Sequence, residues 1–240
     1  MPFGDTLFQR LRQAKRADYV ALLEDLKMDP VKFRDATDED LVNAISAELR
    51  SAAGNSIANT VRGSHDFSYK EILIDVADKL APGRFSWTEF KVSGSETEDQ
   101  IEDYIYERIR ILTEEHLKSM DATDKAKLQE RLEADLRARG ILDHVVRGSL
   151  SAVAAGTLTG VVVGPLVTAA VFGSLWTWLA GLTLRQLALG TLAGGGPVGL
   201  VVAATTIVTG TSYSKTIPAV IRLILVRLSH EAEAKLGSSQ

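Results

Sequence analysis

Histidines and clustered glycines are the residue types in this chain that could support catalysis or phosphate binding. The four histidines stand outside any HExxH or ExxH arrangement: His65, His116, His144 and His230. The run Gly194-Gly195-Gly196 lacks the preceding strand, the lysine and the hydroxyl residue of a phosphate-binding loop, and no GxSxG motif is present. Cysteine is absent, which excludes thiol catalysis and cysteine-ligated metals. The sequence therefore predicts a protein that is not an enzyme and that uses no cofactor or metal.

A second set of glycines, spaced four residues apart, indicates the close packing of helices in lipid. Gly156, Gly160 and Gly164 form a doubled small-xxx-small pattern. In a bilayer, water does not drive helices together, so association depends on close backbone contact, which glycine permits. In a water-soluble helix each glycine would cost about 1 kcal/mol relative to alanine. The spacing therefore predicts packing between membrane helices, including self-association into a homo-oligomer.

This glycine series lies in the longest uncharged part of the chain. No charged residue occurs in the 37 positions between Arg147 and Arg185, or in the 29 positions between Arg185 and Lys215. A helix needs roughly 20 apolar residues to cross a bilayer, so the first run is too long for a single pass. Glycine–proline sequences interrupt the two runs, at Gly164-Pro165 and at Gly194-Gly195-Gly196-Pro197. We expect each run to form an apolar helical hairpin.

Two such hairpins would place Arg147, Arg185 and Lys215 on the same side of a bilayer, so no charge would have to cross it. Trp176 and Trp178 are expected at the membrane interface, together with Arg185 and Lys215. The alternative is a soluble protein with buried hairpins, because the serine, threonine, alanine and glycine in these arms make them only moderately hydrophobic.

The segment after Lys215 combines a helical apolar pattern with Arg222 and Arg227. This pattern is typical of a basic amphipathic helix at an anionic membrane surface. A helix packed on a soluble bundle would give the same pattern, and the sequence leaves both interpretations open.

The first part of the chain has a different composition. Residues 1–143 carry 21 basic and 29 acidic side chains, whereas residues 144–240 carry 6 and 2. The acidic balance of the first part disfavours nucleic acid as a partner, since phosphate binding needs a basic surface. We therefore predict two regions: an acidic soluble helical domain over residues 1–143, which folds alone, and an apolar membrane-inserting region over residues 144–240.

Helix signals dominate residues 1–143, and no strand pattern stands out. Pairs typical of capping boxes precede three predicted helices: Thr37 with Asp40, Ser68 with Glu71, and Ser95 with Glu98. Apolar residues then recur at helical spacing: Leu7, Phe8 and Leu11; Val20, Leu22, Leu23 and Leu26; Leu41, Ile45 and Leu49; Ile72, Leu73, Val76 and Leu80; Ile101, Ile105, Ile109 and Leu112; Leu128, Leu132 and Leu136. The predicted fold class is all-α, with a soluble helical bundle followed by glycine-rich helical hairpins.

The stretch from Gly54 to Gly63 has two interpretations. It could be a short helix that starts at a capping asparagine or serine and ends at Gly63. Alternatively, Asn55, Asn59 and Arg62 form a polar face that binds a protein partner or holds the apolar region.

The sequence also resembles a known family. The segments "GNSIANTVRG" and "YKEILIDVADKL", and the later "GGPVG" and "TGTSYSKTIPAVIRLILVRL", are similar to motifs of the YaaW family of uncharacterised bacterial proteins. Members are sometimes labelled as related to ubiquinol–cytochrome c assembly chaperones. The resemblance spans most of residues 50–230 and implies no catalytic residues.

Taken together, these features predict a helical protein that inserts into a lipid bilayer and perturbs or permeabilises it, as a toxin or defence effector would. The layout is similar to that of pore-forming colicin domains, which release an apolar hairpin from a soluble fold. The alternative is a scaffold or chaperone-like binding protein whose hairpins stay buried or serve as an anchor. The first residues lack a secretory signal pattern, so we expect synthesis in the cytoplasm followed by association with a membrane.

Overall fold

The structure, a computed structural model, describes residues 5–54, 67–80, 95–138 and 213–237. Every regular element in these ranges is helical, which confirms the all-α prediction. In chain order the elements are α1 (Thr6–Arg12), α2 (Arg16–Asp25), a 3₁₀ helix (Pro30–Phe33), α3 (Asp38–Gly54), α4 (Tyr69–Leu80), α5 (Glu98–Ser119), α6 (Ala122–Ala138) and α7 (Tyr213–Gly237). The predicted glycine-rich hairpins lie outside the described residues.

Two of the three predicted capping boxes are confirmed. The backbone N–H of Thr37 donates to the Asp40 carboxylate at 3.1 Å, and the Asp40 N–H donates to the Thr37 hydroxyl at 3.2 Å. Ser68 and Glu71 exchange the equivalent pair at 2.9 and 3.3 Å. Each box satisfies backbone donors that the first turn of a helix cannot satisfy itself. These local sequence signals therefore locate the starts of α3 and α4.

The third predicted box, Ser95 with Glu98, is wrong by two positions. Helix α5 begins at Glu98, so Thr97 is the residue that precedes it. Thr97 donates its backbone N–H to the Gln100 side chain at 2.9 Å, and the Gln100 N–H donates to the Thr97 hydroxyl at 3.3 Å. Glutamine serves as well as glutamate at this place because its side-chain carbonyl is also an acceptor.

The predicted apolar stripes form the core. Leu41, Ile45 and Leu49 of α3 are buried, as are their counterparts on α4, on the first part of α5 and on α6. The side chains of Leu112 and Leu136 lie outside the described residues. Val20 is an exception and is exposed. It departs from the prediction because the buried stripe of α2 runs at helical spacing through Tyr19, Leu22, Leu23 and Leu26.

Contacts divide the chain into two compact units. The first comprises residues 1–108 together with 204–227, and the second comprises residues 109–203 together with 228–240. This division differs from the boundary between 143 and 144 that composition predicts. The first fifteen residues of α7, 213–227, belong to the unit of the N-terminal helices, and residues 109–138 belong to the second unit. Composition along a chain does not record such associations.

Helix α7 contributes a large share of the buried surface of the first unit. Nine of its apolar side chains are buried: Tyr213, Ile217, Ala219, Val220, Ile221, Leu223, Ile224, Leu225 and Val226. Burying a valine, leucine or isoleucine side chain stabilises a fold by about 1.5–3 kcal/mol. Because a whole domain is stable by only about 5–15 kcal/mol, the first unit depends on this helix.

A fragment of residues 1–140 tests this dependence. Without α7 we expect it to lose cooperative unfolding, because its core is left open to water. Circular dichroism during urea titration measures the transition, with the full-length protein as the control. A fragment that unfolds at the same urea concentration and with the same steepness as the full-length protein would instead support the prediction from composition that residues 1–143 fold alone.

Candidate functional site

The polar side chains of α7 form a set of contacts with four other helices, which we call the α7 clamp. Lys215 forms an ion pair with Glu48 of α3 at 2.6 Å, and Arg222 forms one with Asp25 of α2. The remaining contacts fix the start and the middle of the helix: Lys27–Ser214 at 2.6 Å, Tyr213–Asp75 at 2.7 Å, Lys79 over the Tyr213 ring at 4.8 Å, and Arg227 with Glu102 and Asp103. The clamp thus joins the end of the chain to α2, α3, α4 and α5.

Lys27 takes part in the clamp from an unusual backbone position. Its φ angle of 58° lies in the left-handed region, where glycine is usual. The N–H of Met28 donates to the Leu23 carbonyl at 2.8 Å and the N–H of Lys27 donates to the Glu24 carbonyl at 2.9 Å, which is a Schellman ending for α2. Lysine in place of glycine brings an ammonium group to Ser214 of α7.

A fully buried carboxylate, that of Glu102, lies at the centre of the clamp. Arg10 Nε is 3.2 Å from its Oε1, Arg227 Nε is 2.7 Å from its Oε2, and the Tyr69 hydroxyl donates to Oε1 at 2.8 Å. Both arginines are also buried, and each reaches a more exposed carboxylate of α5, Arg10 to Asp99 and Arg227 to Asp103. The cluster therefore joins α1, α4, α5 and α7 at one point.

Burial governs the electrostatics of this cluster. Loss of solvent raises the pKa of Glu102, although Arg10, Tyr69 and Arg227 act in the opposite direction. Burial, followed by the charge of Glu102, raises the pKa of Tyr69 well above its usual value, so Tyr69 remains a hydrogen-bond donor. Burial also raises the pKa of Asp25, against the effect of its arginine partner. For Glu102 and Asp25 the effect of burial exceeds the opposing effect of their partners, whereas for Tyr69 burial and Glu102 act in the same direction.

A small cavity on the first unit has an apolar lining. Its volume is about 340 Å³, and it lies between α2, the 3₁₀ helix and the start of α3. Arg16 borders it and donates to the carbonyls of Phe33, Arg34 and Ala36 and to the Asp38 carboxylate. Arg16 thus fastens the 3₁₀ segment to α2, and its donors serve the local fold.

The structure describes three of the residues that the sequence assigned to a membrane interface. Lys215, Arg222 and Arg227 all lie on α7 and form ion pairs within the first unit. Of the two interpretations that the sequence left open for this segment, the packed helix is the arrangement in the structure. The other assigned residues lie outside the described ranges: Asn55, Asn59, Arg62, Gly156, Gly160, Gly164, Pro165, Trp176, Trp178, Arg185, Gly194, Gly195, Gly196 and Pro197.

Sequence reasoning missed the partners of these basic residues. A signal for part of the cluster exists, because Arg10 stands between Leu7 and Leu11 on a buried helix face and Glu102 adjoins the stripe of Ile101 and Ile105. A charged residue inside an apolar stripe predicts a buried charge that needs compensation. The sequence does not indicate which residues supply it.

Two kinds of site are absent from the described residues. Among residues 5–54, 67–80, 95–138 and 213–237, no group of three or more histidine, aspartate or glutamate side chains is arranged to hold a metal ion. The same ranges contain no helix with the length and apolar character needed to cross a membrane.

Comparison with known proteins adds no family. No protein-family model, no curated protein and no solved structure matches the chain. The resemblance to the YaaW family therefore stays a prediction. The class of protein is given by the described helices, which are all-α.

Replacing Glu102 with glutamine tests the central position of its charge. Glu102→Gln leaves Arg10 and Arg227 facing a neutral buried group, and we expect a loss of about 3–5 kcal/mol in the free energy of unfolding, as for other broken buried ion pairs. Urea denaturation measures it. The matched control is Glu39→Gln, because Glu39 pairs with Arg12 at an exposed site, where a loss of about 0–1 kcal/mol is expected. Equal losses in the two variants would contradict a special role for Glu102.

The pH dependence of stability tests the desolvation of the clamp. Burial raises the pKa of Asp75 above its ordinary 3.8, although Tyr213 and Lys79 oppose the shift. The folded protein therefore holds this proton more tightly than the unfolded chain, so acidification from neutral pH towards 3.8 stabilises wild type relative to Asp75→Asn.

Asp40 is the control with the opposite sign. Hydrogen bonds from Thr37 lower the pKa of Asp40, so wild type should lose stability relative to Asp40→Asn as the pH falls through 3.8 and below it. Urea midpoints measured over this pH range for wild type and both variants give the two slopes. Slopes of the same sign would show that Asp75 is not held in a desolvated site.

Proposed function

We propose that this protein inserts the uncharged part of its chain into a lipid bilayer and perturbs or permeabilises it, while its first unit holds the chain before and after that part on one side of the bilayer. The observation that carries the proposal is the position of α7. Residues 213–227 belong to the same compact unit as residues 1–108. The two uncharged runs of 37 and 29 residues lie between these parts in the sequence.

Chain connectivity supports this topology. When both ends of a segment are held by one unit on one side of a bilayer, the segment crosses the bilayer an even number of times. Two hairpins satisfy this condition and leave Arg147, Arg185 and Lys215 outside the hydrocarbon. A charged side chain at the bilayer centre costs at least about 2.5–3.5 kcal/mol, so an arrangement that avoids one is favoured.

The glycine series supplies the proposed assembly. Gly156, Gly160 and Gly164 fall on one face if their segment is helical, and this face permits close contact with a second helix. The proposed partners are therefore the bilayer itself and further copies of the chain. Permeabilisation follows if such copies assemble, as a toxin or defence effector requires.

A second candidate function is a scaffold or chaperone-like binding protein that keeps its apolar residues covered. The burial of nine apolar side chains of α7 favours it, since these side chains are already covered by protein. Fractionation distinguishes the two candidates. A full-length protein that stays monomeric in the soluble fraction without detergent, and is harmless when overproduced, supports the scaffold.

Dye release from lipid vesicles tests the first candidate. We expect the full-length protein to bind vesicles that contain anionic phosphatidylglycerol and to release an enclosed dye. Gly160→Leu adds a side chain where two backbones are expected to meet, so it should keep vesicle binding and lose most of the release. Gly160→Ala, which keeps a small residue, is the control and should retain it. Absence of both binding and release over a range of pH would overturn the proposal.

A further inference from the structure

Helix α7 has the composition of a lipid-binding helix, yet its basic residues are paired inside the protein. Residues 213–227 carry three basic side chains and no acidic one. Lys215, Arg222 and Arg227 form ion pairs with carboxylates of α3, α2 and α5. An amphipathic helix with basic residues and a broad apolar face binds anionic membrane surfaces. The carboxylates therefore stand where acidic lipid headgroups would stand in the membrane-bound state.

We propose that Glu48 and Asp25 hold α7 in an autoinhibited position, and that an anionic lipid surface releases the helix by taking the place of these carboxylates. This inference rests on the membrane function proposed above and adds its regulation. The internal carboxylates and the acidic headgroups compete for the same basic residues. Release occurs where acidic lipid is dense, and the helix stays in the unit elsewhere.

The two outer ion pairs are placed for such an exchange. The side chains of Lys215 and Glu48 are 27% and 30% exposed, and those of Arg222 and Asp25 are 17% and 15% exposed. Lys215 and Arg222 are seven residues apart, which is about two helical turns and about 10 Å, so they lie on one face of α7. A lipid surface that approaches this face reaches both residues at once.

The inner pair behaves differently because it is closed to solvent. Arg227 and Glu102 are 5% and 0% exposed, so headgroups cannot reach them while α7 remains in place. This pair keeps the helix in the unit when lipid is absent. It separates only after the outer pairs have exchanged and α7 has begun to move, which makes release depend on contact at both outer positions.

The rest of the unit makes the exchange selective. Residues 1–143 carry eight more acidic than basic side chains, so this part of the chain is repelled by an anionic surface. Basic residues of α7 outnumber its acidic residues by four to two, so attraction to an anionic surface is concentrated on this helix. The Lys215–Glu48 pair, with side chains 27% and 30% exposed, is partly screened by water and salt, so replacing its carboxylate by that of a headgroup changes the free energy little.

The test compares two double variants of the full-length protein with the same change in charge. Asp25→Asn with Glu48→Gln removes the outer carboxylates and leaves every basic residue of α7 intact. Asp38→Asn with Glu39→Gln removes carboxylates that pair with Arg16 and Arg12. We expect the first variant to partition about fivefold more strongly than wild type, for each freed basic residue, into vesicles of phosphatidylcholine and phosphatidylglycerol. The control variant should partition only slightly more strongly than wild type. With vesicles of phosphatidylcholine alone, the variants and wild type should partition equally.

A third variant guards against a folding defect. Exchanging the pair, with Lys215→Glu and Glu48→Lys, keeps the ion pair and the net charge but removes a basic residue from α7, so vesicle binding should fall below that of wild type. Urea denaturation confirms that each variant is folded.

The outcomes separate this inference from the membrane function itself. If wild type binds anionic vesicles and the first variant binds no better than the control, autoinhibition is overturned and the membrane function stands. Failure of wild type and all variants to bind anionic vesicles overturns both.

Discussion

The carboxylate of Glu102 is completely withdrawn from water, and a charge in that position must be compensated by the protein itself. Arg10 comes from the first described helix and Arg227 from the last, and the Tyr69 hydroxyl donates a hydrogen bond to the same carboxylate. The two ends of the described fold therefore have to meet at this residue. The raised pKa of Glu102 shows that desolvation still outweighs the attraction of its partners. Such a cluster specifies an arrangement more than it adds net stability, since a buried ion pair barely repays its desolvation.

The pairing of acidic residues with basic residues of α7 also bears on the uneven charge of the sequence. Composition alone suggests an acidic domain and a basic apolar region in separate environments. In the structure, however, three of the six basic residues in the second part of the sequence pair with carboxylates of the first part. The uneven distribution of charge along the sequence thus partly reflects basic residues of α7 that pair with acidic residues of the helices around it. An opposite charge held nearby also lowers the attraction of α7 for any external anion, which is the basis of the autoinhibition proposed above.

This arrangement connects stability to the proposed membrane function. Burial of apolar side chains on α7 favours the closed unit, and release of the helix would also expose the apolar residues that it covers on the other helices. The polar contacts of α7 also differ between protein and bilayer, so they contribute to the balance between the two states.

Local sequence signals determined most of the helices. The boxes at Thr37 and Ser68 located two helix starts, and apolar spacing identified core faces such as Leu41, Ile45 and Leu49. These features involve residues a few positions apart, so the sequence records them directly. A two-residue error at Ser95 arose because Thr97 with Gln100 offers a competing cap. For the candidate site, the sequence singled out Lys215, Arg222 and Arg227 but not Asp25, Glu48 or Glu102. Only the tertiary structure decided that α7 joins the first unit, because this depends on pairings between residues more than a hundred positions apart, and neither charge nor periodicity along the chain specifies which opposite charges meet.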